Sequence, residues 1–113
     1  MKKIALTIVT ASAFIYSCSN SPKSVVAKTA HIYGNCDKCK VRIEKAAALN
    51  GVTEINWHID SKLLNCKVDT TATSLNTVLK AIAAAGYDND AYQGDDYAYN
   101  KLPQSCQYER KTE

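Results

Sequence analysis

Val52-Thr53-Glu54-Ile55-Asn56-Trp57-His58-Ile59-Asp60-Ser61-Lys62-Leu63-Leu64-Asn65-Cys66-Lys67-Val68 is the stretch on which the fold turns. Ile55, Trp57 and Ile59 alternate with Glu54, Asn56 and His58, and a period of two belongs to a half-buried strand, here Val52 to Asp60. Ser61-Lys62 supplies a tight turn. Leu64, Cys66 and Val68 then alternate with Asn65 and Lys67, so a second strand returns along the first as a hairpin. Trp57 reads as a core anchor and Cys66 as an inert core thiol on the inward face. His58 falls on the opposite, solvated face.

On either side of the hairpin the pattern repeats. Lys28 to Tyr33 alternates loosely and stops at Gly34, as a first strand would, with His31 on a solvated face. Asp37 to Asn50 is alanine-rich, has no internal Gly or Pro and is closed by Gly51, which predicts a helix of about three turns. Beyond the hairpin, Thr73 or Ser74 caps a second helix whose Leu75, Val78, Leu79 and Ile82 form one apolar stripe before Gly86. Asp90-Ala91-Tyr92 reads as a last extended piece. The order β-α-β-β-α-β predicts an α+β, ferredoxin-like sandwich, with two helices on one face of a four-stranded antiparallel sheet.

The chain has 113 residues, enough for one small domain and too few for two. With 46% hydrophobic and 22% charged residues it is neither a disordered tail nor a multi-span membrane protein. Its net charge is +3, and since Lys2 and Lys3 sit at the very start, the remainder carries only +1. That is too little to argue for a nucleic-acid partner. Five cysteines are an odd number, which excludes a fully paired disulfide framework.

The beginning of the chain reads as an address. Met1-Lys2-Lys3 and the apolar run from Ile4 to Ile15 have the form of a secretory signal, short of the roughly 20 residues a membrane span needs. Ile15-Tyr16-Ser17-Cys18 resembles a bacterial lipoprotein box, although Tyr16 is bulky. This implies a signal peptide over residues 1–17, a lipid on Cys18, and a protein anchored to a membrane on its periplasmic side. The alternative is an ordinary cleaved signal that leaves Cys18 free. Residues 18–27, with Pro22, then read as the tether to a domain over residues 28–93.

The chemistry lies in Gly34-Asn35-Cys36-Asp37-Lys38-Cys39-Lys40. Cys36 and Cys39 stand three apart at the start of the first helix, which turns both sulfurs to one side, close enough to grip a single ion. The helix N-terminus and the lysines at positions 38 and 40 favour thiolates. Two soft thiolates without a second Cys or His pair suit an ion that accepts low coordination, Cu(I) or Hg(II), better than structural zinc. A redox dithiol is equally compatible with the spacing alone.

Gly34 to Cys39, Arg42-Ile43-Glu44-Lys45-Ala46, Asn50-Gly51-Val52 and Ala85-Gly86-Tyr87 together resemble the heavy-metal-associated domain of copper metallochaperones and periplasmic mercury-binding proteins, in order and in spacing. The chain departs from that pattern at Gly34-Asn35-Cys36, where the family has Gly-Met-Thr-Cys. The resemblance implies that Cys36 and Cys39 are metal ligands and that Tyr87 shields the ion from the neighbouring loop. It also implies a non-enzymatic role: an exported metallochaperone or scavenger passing Cu(I), or another soft ion, to a metal-transporting membrane protein or an acceptor metal-binding domain. Two other classes use the same cysteines. One is a periplasmic thiol-disulfide oxidoreductase with Cys36 as nucleophile and Cys39 resolving; the other is a structural lipoprotein without metal.

Residues 94–113 form an aromatic, cysteine-containing tail, too rich in tyrosine for a generic disordered end. Extended, the chain from Tyr92 to Cys106 spans more than about 40 Å, ample to cross the domain. The tail is therefore expected to fold over the loop and bring Cys106 to Cys36 and Cys39, as a third thiolate or a disulfide partner. The plainer reading leaves Cys106 as a tail thiol with no part in the site.

Overall fold

The computed structural model describes residues 24–112, so the apolar leader, Cys18 and most of the tether lie outside the described residues. Strand β1 runs Val25–His31, helix α1 Asp37–Ala47, β2 Val52–Trp57, β3 Leu63–Asp69 and helix α2 Leu75–Ala84. A short helix α3, Asp96–Asn100, and a 3-10 turn at Gln104–Cys106 follow. The sheet order is β1-β3-β2, with β3 antiparallel to both neighbours. The strand joined to α1 therefore lies apart from β2, as the split arrangement requires.

β1 begins at Val25 rather than Lys28, because Val25, Val26 and Ala27 pair with Asp69, Val68 and Lys67. α1 stops at Ala47, three residues before the expected end at Asn50. There the Ala48 and Leu49 amides turn back to the Lys45 and Ala47 carbonyls and tighten the chain into a loop. α2 has the anticipated stripe: Val78, Leu79 and Ile82 are buried, and the Ser74 hydroxyl accepts from the Thr77 amide at 3.2 Å. It closes in a Schellman turn, the Tyr87 amide reaching the Ile82 carbonyl and the Gly86 amide that of Ala83.

The hairpin is regular in β3 and irregular in β2. Strict alternation would send Val52 outward if Trp57 points inward, yet both are buried. A bulge between Thr53 and Asn56, with Glu54 at φ +50°, inserts the residue that resets the register. Trp57 is fully buried, its indole N–H donating to the Ile32 carbonyl at 3.2 Å, and its ring packs beneath Gly34 in the cysteine loop. Cys66 and Leu64 complete the inner face of β3 under the two helices.

The expected fourth strand does not form among the described residues. Its place beside β1 holds a single bridge, Ile32 with Asn89, flanked by hydrogen bonds from Tyr33 N–H to the Asp88 carbonyl and from Asp90 N–H to the His31 carbonyl. The buried Asn89 explains the interruption: its side-chain oxygen accepts from the Ala91 and Tyr92 amides and folds the backbone into a turn where a ladder would have continued. Asp90-Ala91-Tyr92 is that turn.

The tail packs on the domain. Gly94 and Gly86 meet backbone to backbone, and a Cβ on Gly86, which sits at φ +101°, would lie 2.7 Å from the Tyr99 nitrogen at the start of the tail. Glycine is required at both positions for this approach. The Asp95 amide donates to the Ala83 carbonyl and the Asp95 carboxylate caps α3. Leu102, Cys106 and Tyr108 are all buried as members of the one hydrophobic core.

Candidate metal centre

Cys36 is the residue that starts α1, in extended backbone, and Cys39 lies in the first turn; the two sulfurs are 3.7 Å apart. The 3-10 turn of the tail brings Cys106 Sγ to 3.8 Å from Cys36 Sγ, across 70 residues of sequence. All three sulfurs lie within 4.8 Å of one another, and no other Cys, His, Asp or Glu joins them among the described residues. Cys36 is half-buried, whereas Cys39 and Cys106 are shut away from solvent. Backbone and amide groups complete the pocket. The Cys39 thiol donates to Asn35 Oδ1 at 3.0 Å, and the Ser105 carbonyl lies 3.5 Å from Cys36 Sγ.

The three thiols are not equivalent. Burial works against an anion at Cys36, but hydrogen bonding from the Cys39 amide and thiol, the Lys38 amide and the Cys106 thiol outweighs it and holds the Cys36 pKa below its ordinary value. Lys40 does not take part as expected: its ammonium is engaged by Glu44, Asn56 and the Trp57 carbonyl at 2.7 to 2.8 Å. Backbone amides at the helix start, not lysine side chains, make the anion favourable. Cys106 behaves oppositely, with burial first and the neighbouring Cys39 charge second pushing its pKa up to about 11.

Tyr87 is fully buried beside this group. Burial, and then the charge of Cys39, raise its pKa well above the usual phenol range, and its hydroxyl has no hydrogen-bond partner among the described residues. The Tyr108 ring stacks on Tyr87 at 5.5 Å and closes the far side.

Part of the sequence that builds this group resembles a known module. Residues 35–88 match the heavy-metal-associated domain family. Over that stretch, just under half of the chain, the protein is similar to heavy-metal-associated domains. Three solved structures share its fold. The CopZ metallochaperone aligns at 23% identity over 57% of this chain and 98% of its own, with a TM-score of 0.54. A putative copper-ion-binding protein from Bacillus anthracis str. Ames aligns at 22% identity over 61% and 100%, TM-score 0.57. Oxidized MerP from Ralstonia metallidurans CH34 aligns at 24% identity over 60% and 100%, TM-score 0.50. No curated protein matches the chain. Each of these structures is covered almost entirely, whereas about two fifths of this chain has no counterpart in them.

Of the residues singled out from the sequence, Cys36, Cys39 and Cys106 come together in one group with Tyr87 beside it, Cys106 reaching it from outside the matched residues 35–88. Cys66 stays in the sheet core away from them, its pKa raised by burial. His58 binds Asn56 and Asn65 on the exposed face of the hairpin, and His31 packs edge-on to Tyr33. Asn35, Asp88, Tyr108 and Arg110 were not anticipated. The sequence held signals for two of them, an acid directly after Gly86-Tyr87 and one of only two arginines in the chain near its end.

Proposed function

We propose that this protein binds a soft heavy-metal ion, Cu(I) foremost and Hg(II) as the alternative, through Cys36, Cys39 and Cys106, and passes it to an acceptor without itself being an enzyme. The convergence of three thiol sulfurs within 4.8 Å carries the reading. A metal–sulfur bond of about 2.3 Å places three sulfurs around one ion about 4.0 Å apart, and the distances from Cys36 are 3.7 and 3.8 Å. A tetrahedral structural zinc site needs a fourth ligand, which the group does not supply. Transfer proceeds by ligand exchange: a thiolate of a metal-transporting membrane protein or acceptor domain bonds to the ion before the last sulfur here lets go. The ion is then never released free.

The basic start, apolar run and lipoprotein-type box of the sequence support a site of work outside the cytoplasm, on a membrane anchor at Cys18. Cys18→Ser should release the protein from membranes or block its processing; soluble, unmodified wild-type protein would refute the anchor. For binding, the reduced protein is titrated with Cu(I), Hg(II) and Zn(II) against competing chelators. Cu(I) or Hg(II) should survive strong competition and be lost in the Cys36→Ser, Cys39→Ser double variant. Indifference to all three ions would refute the function.

A further inference from the structure

We propose that the end of the chain is a latch, in which the Asp88–Arg110 ion pair and the Tyr108 hydroxyl hold Cys106 over Cys36 and Cys39, and that its release opens the bound ion to an acceptor thiol. The proposal rests on the metal-binding reading above and adds what governs transfer from that site.

The latch is built against the segment that follows Tyr87. Asp88 is fully buried, and the Arg110 guanidinium grips it with two nitrogens, Nε to Oδ2 at 2.9 Å and Nη2 to Oδ1 at 2.8 Å. The Lys111 amide donates to Oδ2 as well, at 2.8 Å. Two residues before Arg110, the Tyr108 hydroxyl accepts from the Asp88 amide and donates to the Gly86 carbonyl, at 2.7 and 2.6 Å. All of these contacts follow Cys106 closely in the chain, so they fix where its sulfur sits.

The latched tail also covers what an acceptor must reach. Cys39 and Cys106 are closed to solvent, and the half-exposed Cys36 has the Ser105 carbonyl at 3.5 Å. Ser105 and Cys106 therefore block the ion together, the first by position and the second by filling the third coordination place. That place is the one an incoming thiolate must take. The contacts before Cys106 are of another kind: α3 is wedged on Gly86 and Leu102 is in the core. The ionic end reaches water, since the Arg110 side chain is 23% exposed and its second acid, Asp96, is 82% exposed. Release of the last residues can thus occur while the rest of the tail stays docked.

The exchange balances. The acceptor's sulfur–metal bond forms as the Cys106 sulfur–metal bond breaks, the proton given up by the acceptor thiol passes to the freed Cys106 sulfur, and the ion keeps its oxidation state. Asp88, Tyr108 and Arg110 are positioning residues in this step and do not touch the ion.

The test uses the full chain loaded with Cu(I). Sulfurs per copper are counted by X-ray absorption, and the rate of copper loss to dithiothreitol is measured by stopped flow. Wild type should show three sulfurs. Arg110→Gln should show an average below three and transfer about tenfold faster or more, since each hydrogen bond to a charged group shifts the open population by a factor of that order. Arg110→Lys, which keeps the charge but not the fork, should fall between them. Tyr108→Phe keeps the ring and loses the hydroxyl, and serves as the second variant should Arg110→Gln fail to fold by circular dichroism. Three sulfurs and an unchanged rate in the folded latch variants would overturn the latch while leaving metal binding standing. A wild type that binds no Cu(I) would overturn both.

Discussion

Replacing Asp88 by Asn tests the energetics of the tail with almost no change of shape. The carboxylate is fully buried and accepts four hydrogen bonds, from the Gly94 amide at 2.6 Å, Arg110 Nε at 2.9 Å, Arg110 Nη2 at 2.8 Å and the Lys111 amide at 2.8 Å. An amide removes the charge and turns one acceptor into a donor facing donors. Breaking a buried pair from one side costs about 3 to 5 kcal/mol. Arg110 is 23% exposed and keeps Asp96 and the Gly94 carbonyl, which places the expected loss near the lower end, at about 3 kcal/mol. For a domain of this size that lowers the melting temperature by roughly 15 °C.

Acid gives the same pair a second signature. Burial raises the pKa of Asp88, but Arg110, the Lys111 amide and the Gly94 amide overcome it, and the folded pKa lies below the ordinary carboxylate value. A lowered folded pKa contributes stability above the unfolded value of about 4, and that stability disappears as pH falls through the folded value. Urea unfolding followed by circular dichroism at pH 7 and pH 3 should therefore show the gap between wild type and Asp88→Asn shrinking in acid. A variant within about 0.5 kcal/mol of wild type at pH 7, or a gap that acid leaves untouched, would refute the assignment of Asp88 as the centre of the tail's attachment.

Two further outcomes are expected of the apo protein and of the core. With a lowered pKa and partial exposure, Cys36 should be alkylated first as pH rises, and Cys106, buried and pushed up to about 11, last of the three; peptide mass spectrometry that finds equal rates would contradict this ordering. Cys66→Ala should cost about 1 kcal/mol for the lost sulfur contact in the core and leave metal stoichiometry unchanged, whereas a loss of bound metal would place Cys66 in the site.

The hairpin and both main helices were legible because each is written in a local period: two for Leu64, Cys66 and Val68, and 3.6 for Leu75, Val78, Leu79 and Ile82. Local reading went astray where one side chain or one extra residue overrode the period. The bulge at Glu54 and Ile55 puts Val52 and Trp57 on the same face, and nothing in the alternation marks a residue that adopts φ +50°. Asn89 ends the fourth strand after one bridge by capping the Ala91 and Tyr92 amides, a competition between side chain and ladder that composition does not rank. Lys40 was expected near the thiols by its place in the sequence. In the fold its stem runs across α1 to Asn56 and the Trp57 carbonyl of β2.

The cysteine group divides along the same line. Cys36 and Cys39 are three residues apart on one helix start, so their spacing alone determines that the sulfurs meet, and helix formation delivers both at once. Cys106 arrives from 70 residues away, and no period encodes that distance. Its position depends on contacts made elsewhere: the glycine pair that lets α3 lie on the α2 terminus, the Tyr108 hydroxyl between Gly86 and Asp88, and the Arg110 fork. The tyrosine-rich composition of residues 94–113 signalled that the tail must pack, but not against what. It follows that the two-sulfur part of the site is as stable as the helix that carries it, while the third sulfur is present only as often as the tail is docked. The number of sulfurs available to an ion is then a property of the tail's equilibrium, which a mutation at Asp88 or Arg110 can move without touching a cysteine.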